Sequence, residues 1–197
     1  MSTPSTYALQ PTSNDKDIRS TKSIERDLFN LVKNKKPNIT NKKETEAIDE
    51  LIEELIFSAT GSIWQRNLLN GSWRVAYVHS GQSGRGLDRR IPFPELPFNE
   101  SYQRFTSDSV TNVGELLGPA VRAEVGGSLQ EDDYNFNFTP KRFIAYINSG
   151  DLCAGQLCTK LPIEGKGIFD GMYLGETLRI GQNLNGSGAL VVQVRVQ

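Results

Sequence analysis

The sequence predicts an α+β, mainly β chain: two N-terminal helices followed by an antiparallel β-barrel of about eight strands. Three observations carry this. Up to residue 61 the apolar residues recur at spacings of three and four. From Gly71 onward the period changes to two. The later apolar runs are short, separated by Gly, Asn, Asp and Pro turns, and never alternate with helices, which excludes a doubly wound α/β fold.

The first helix is predicted around Ile24, Leu28, Leu31 and Val32, with Pro37 stopping it. The second is stronger. Asn41 offers an N-cap acceptor with Glu44 at the third helical position, and Ile48, Leu51, Ile52, Leu55 and Ile56 form one stripe. Glu46, Asp49, Glu50, Glu53 and Glu54 fill the remaining face, and Gly61 is the expected terminator. This acidic helix, 41–60, is expected to pack its stripe on the barrel.

The first strand spans 72–78, with Trp73, Val75 and Tyr77 sharing a face. A long Gly- and Pro-rich connection follows over 80–99, a length typical of lids and binding loops. Further strands are expected over 102–105, 109–117, 121–125, 134–138, 142–147, 167–174, 177–180 and 189–196. In the last, Leu190, Val192, Val194 and Val196 point one way, Gln193 and Arg195 the other.

Composition narrows the function. Twenty-two Lys and Arg against 23 Asp and Glu give a net charge of -1, not the basic surplus of a nucleic-acid-binding protein. No run approaches the roughly 18 apolar residues of a membrane span. Residues 1–20 read as a disordered tail or a transit-peptide remnant, and 21–197 as one domain, with helices over 21–61 and the barrel over 70–197. The segment before residue 23 lacks the apolar region of a secretory signal, and Asp15 and Asp17 are unusual in a transit peptide. Cys153 and Cys158 are read as small apolar residues near a turn rather than as a bridge, because bridge geometry is demanding.

Three segments together resemble the plastid lipid-associated protein (fibrillin) family. The first is the acidic helical lead-in running into Leu69-Asn70-Gly71-Ser72-Trp73-Arg74-Val75-Ala76-Tyr77. The second is 102–113 with Gly118-Pro119. The third is Gly171-Met172-Tyr173-Leu174-Gly175-Glu176-Thr177-Leu178-Arg179-Ile180-Gly181, before the closing strand Leu190-Val191-Val192. Their order and spacing agree with the family over roughly 24–196. Gly175 stands where the family usually has Asp, Gln182-Asn183 replaces an Arg-Gly pair, and the turn 183–188 is lengthened, so the resemblance is to a divergent member. It implies a lipocalin-like barrel in a plastid protein, associated with thylakoid or plastoglobule lipid. It also implies a lipid, prenylquinone or carotenoid ligand, and neither catalysis, cofactor nor metal.

Gly71-Ser72-Trp73 also matches the way lipocalins open their first strand. Trp73 is expected to plug one end of the barrel, with Arg179 or Arg195 stacked on the indole. The candidate ligand contacts are Trp73, Tyr77, Phe136, Phe138, Phe143 and Arg179. From the residues alone, a ligand cavity and a filled core are equally open readings of the four smaller aromatics; the resemblance favours the cavity. In the long connection, Arg85, Arg89 and Arg90 stand beside Phe93, Leu96 and Phe98, a pairing suited to an anionic lipid surface. His79, the one histidine, has no nucleophile in evident partnership and is read as a strand residue without catalytic role. Two alternatives remain. A chromophore lyase or isomerase of the same architecture would be favoured by a polar group deep in the barrel, for which Tyr77, Glu124 and Arg179 are the candidates. A structural coat on lipid globules would need no specific ligand.

Overall fold

The computed structural model describes residues 19–35, 41–79, 99–133, 135–185 and 188–196. Within them, α1 (Thr21–Val32) and α2 (Lys42–Ala59) precede a short 3-10 turn (Arg66–Leu69). Nine strands follow: β1 (Gly71–His79), β2 (Ser101–Phe105), β3 (Ser109–Glu115), β4 (Val121–Glu131), β5 (Lys141–Ala154), β6 (Leu157–Lys160), β7 (Gly165–Leu174), β8 (Leu178–Asn183) and β9 (Leu190–Arg195).

Eight of these close into a barrel. Every pairing is antiparallel and the order is β1-β2-β3-β4-β5-β7-β8-β9, with β9 returning to β1. Closure leaves these eight without a free edge. The ninth, β6, is a short hairpin extension paired with the far end of β5, an element the periodicity did not reveal. It carries a bond that the sequence did not favour either. Cys153 and Cys158 face each other in register and form a disulfide. The β5–β6 turn brings their Cα atoms to 4.1 Å, supplying the proximity that sequence alone could not.

The helices start and stop for local reasons. Asn41 Oδ1 accepts the Glu44 N–H at 3.0 Å, capping α2, and Gly61 beyond its end takes a left-handed φ of 79°. Ser20 caps α1 in the same way. Ile24, Leu28 and Val32 of α1 and Ile48, Ile52 and Leu55 of α2 are buried against one outer wall of the barrel. That wall is made of Ala76, Tyr77, Tyr173, Leu178, Ile180, Val192 and Val194. Each such aliphatic side chain contributes roughly 1.5–3 kcal/mol on full burial.

A second core fills one end of the barrel, built from Trp64, Leu69, Trp73, Phe105, Val110, Leu129, Phe143 and Ala145. The two cores explain the pattern of β8 and β9. Leu178, Ile180, Val192 and Val194 face outward to the helices, so Arg179 and Gln193, which are in register, face inward.

Candidate functional site

The closed end of the barrel is held by Trp73 and Arg195. Trp73 is fully buried, its Nε1 donates to the Leu69 carbonyl at 2.8 Å, and Arg195 lies over its ring at 4.2 Å. Arg195 also donates to the carbonyls of Leu68, Asn70 and Glu176, tying the 3-10 turn and the β7–β8 turn to the barrel. Gly71 has φ +122°, and a Cβ there would meet Arg195 Nη1 at 2.8 Å. The glycine is therefore required both by backbone conformation and by the guanidinium beside it. Trp64 closes the same end, tilted against Phe143 at 5.6 Å. Phe143 in turn stacks on Phe169 at 5.3 Å.

Beyond this plug the described residues do not fill the interior. A cavity of about 330 Å³ occupies the other half of the barrel. Val75, Val110, Ala145, Ile147, Phe169 and Val191 give it apolar walls. Gln103 donates to Asn112, its register partner on the neighbouring strand of the wall, at 2.7 Å. Arg179 and Gln193 are different. They are 4% and 1% exposed, they line the cavity, and Arg179 Nη1 and both polar atoms of Gln193 have no hydrogen-bond partner.

Arg179 is positioned by what surrounds it. Phe105 lies 4.4 Å from the guanidinium and Phe169 5.9 Å, so aromatic rings take up its faces. Gly181 leaves it room, since a Cβ there would come within 3.1 Å of Nη2. Burial lowers its pKa to about 9, which still leaves the group a cation at neutral pH. Arg179 is the sole charged residue among the described residues of the lining. Buried polar groups are normally satisfied. An unpaired guanidinium and an unpaired amide facing one cavity therefore make a site for a polar acceptor group at the end of an apolar molecule.

The structure corrects three of the expected ligand contacts. Tyr77 does not face the interior. The register of β1 on β9 shifts between Val75 and Tyr77, a bulge that turns Tyr77 outward. There its hydroxyl donates to Asp49 Oδ1 of α2 at 2.8 Å, and His79 Nδ1 meets the same oxygen at 2.8 Å. Phe136 and Phe138 do not belong to an inward-facing strand. Asn135 and Phe136 have φ of 62° and 48°, and the backbone of 137–139 bonds to 61–64 instead of to the sheet. The two rings are left exposed, and Trp64 takes the interior position. Phe143 is interior, in the plug rather than in the cavity lining, as is Trp73. Arg179 is in the lining, but the guanidinium stacked on Trp73 is that of Arg195.

Phe105, Phe169 and Gln193 were missed as site residues. Their only signal was parity: Gln193 and Arg179 each stand opposite the apolar positions of their strands. Glu124 is in register with Val113, next to the inward Asn112, so it lies on the outer surface, paired with Arg122 at 2.7 Å. The Arg85, Arg89, Arg90, Phe93 and Phe98 contacts lie outside the described residues. A second, more open hollow of about 450 Å³ lies between α1 and the β1–β2–β9 wall. Its Arg74 is already engaged by the carbonyls of Lys33 and Lys35 and its Tyr102 by Glu100.

No family model matches the chain, and no curated protein matches it either.

Proposed function

We propose that this chain is a plastid lipid-associated protein of the fibrillin type, which holds one small apolar molecule inside its barrel and catalyses no reaction. The observation that carries the binding reading is the 330 Å³ cavity with two buried, unpartnered polar side chains at its inner end. Its size is at the lower end of the range for ligand pockets. A protein under selection for stability alone would fill such a space, because each buried unsatisfied group destabilises the fold. The fibrillin assignment, the plastid location and the peripheral contact with thylakoid or plastoglobule lipid rest on the sequence motifs, chiefly 171–181 with 69–77.

Apolar burial supplies most of the binding free energy, at roughly 25 cal/mol per Å² before ordering costs. The polar pair fixes orientation. Organic extraction of the natively purified protein, followed by mass spectrometry, identifies the molecule carried. Gly167→Leu provides the control. It lines the cavity, and its added Cβ would meet only Ala145 Cβ, at 3.7 Å. The variant should fold and come out empty. If it carries the same molecule in the same yield as the parent, the ligand does not sit in the barrel.

A further inference from the structure

The inner end of the cavity carries a charge that none of its described lining residues neutralises. The shell around Arg179 consists of two aromatic rings, the Gln193 amide and Gly181, with no carboxylate among the described lining residues. A neutral acceptor such as a quinone, ester or hydroxyl oxygen would use one N–H and leave the cation uncompensated in a low-dielectric site. An anion does both. Guanidinium and carboxylate are planar and complementary in their donor and acceptor spacing. A carboxylate has about four lone-pair sites, enough to accept from the Arg179 guanidinium and the Gln193 amide together.

We propose that the cavity selects an apolar carboxylic acid, bound as its anion with the head on Arg179 and Gln193 and the chain running along Val75, Val110, Ile147 and Val191. This deepens, and rests on, the reading of the barrel as a binding cavity. The direction of the ligand follows from the plug. Trp73, Phe143 and Phe105 fill the closed end, so the head goes in first and the chain extends toward the end where β8 finishes and β9 begins. The pair is out of reach of bulk ions, so the head-group preference persists in high salt, unlike a surface contact.

The test compares dodecanoate, methyl dodecanoate and dodecanol as competitors of a neutral naphthylamine fluorophore bound to the full chain, all below their aggregation concentrations. Dodecanoate is expected to compete at least about tenfold more tightly than either neutral analogue, the usual worth of a charge-assisted hydrogen bond. The margin should be the same at low and high salt. Arg179→Met should abolish the margin of dodecanoate over the ester. Gln193→Leu should lose part of the margin. If all three compounds and the fluorophore bind but acid and ester compete equally, the carboxylate inference fails and the cavity reading stands. If none of the four binds, both fail. The comparison on the unmutated chain decides the matter even if a variant does not fold.

Discussion

Trp73 and Arg195 sit directly across from each other on β1 and β9, with the guanidinium 4.2 Å from the indole ring. The pair joins the first strand of the barrel to the last, so it closes the sheet as well as plugging it. Trp73→Ala should destabilise by roughly 3–5 kcal/mol, the usual range for truncating a buried Trp. Arg195→Met keeps much of the ring contact but strands three carbonyls that the guanidinium now serves, and should cost about 1–3 kcal/mol. Urea denaturation of both variants measures this. Unchanged midpoints would mean that the closed end contributes nothing to the fold.

Arg179 should behave in the opposite way. Its folded pKa of about 9 lies below the ordinary guanidinium value, so the unfolded chain holds the proton more tightly. Stability therefore rises as pH climbs above about 9 toward the ordinary guanidinium value, and the full cost of the buried cation is present below about 9. Arg179→Met removes that cost and retains apolar contact with Phe105 and Phe169. The empty protein should melt at a higher temperature in the variant at pH 7, and the gap should narrow above pH 9. A variant that melts well below the parent at pH 7 would show that Arg179 is a stabilising element and not a ligand group.

The outward turn of Tyr77 fastens α2 to the barrel. Burial, and then the hydrogen bond and charge of Asp49, raise the phenol pKa above its usual value. The bond needs the proton, so its contribution is complete below about pH 10 and is lost as pH rises through the higher folded value. Tyr77→Phe should cost about 1 kcal/mol. Hydrogen exchange should speed up in α2 and not in β3 or β4. Uniform acceleration across the barrel would contradict a local fastening.

Surface contact rests on the sequence of the β1–β2 connection. Arg85/Arg89/Arg90→Gln should weaken sedimentation with anionic plastid-lipid liposomes mainly at low salt, since only charge attraction is screened. Phe93/Phe98→Ser should weaken it at every salt concentration. If neither variant differs from the parent, these residues do not dock the protein on lipid.

Gly175 lies where α1 meets the β7–β8 turn. A Cβ at this position would come within 2.3 Å of Glu25 Oε1 and 2.8 Å of the Tyr173 hydroxyl. Thr177 Oγ1 donates to the same Glu25 oxygen at 3.0 Å. An Asp there would bring a second carboxylate up to Glu25 and require the Glu25 side chain to move.

Local patterns were sufficient for much of the fold. The Asn41 cap, the stripe from Ile48 to Leu55 and the alternation along β9 are each set by neighbours within a few residues, so periodicity and capping chemistry reveal them. What sequence could not decide was which face of each strand became the interior. The apolar face of β8 and β9 was legible, but an apolar face fits equally inside a barrel or under a helix. The helices covered it here, and that turned Arg179 and Gln193 inward and made the cavity polar at one end. The bulge at Tyr77 and the chain reversal at Phe136 changed the parity of their segments for the same kind of reason. A one-residue shift in pairing reverses every side chain that follows, and pairing is set by strands distant in sequence.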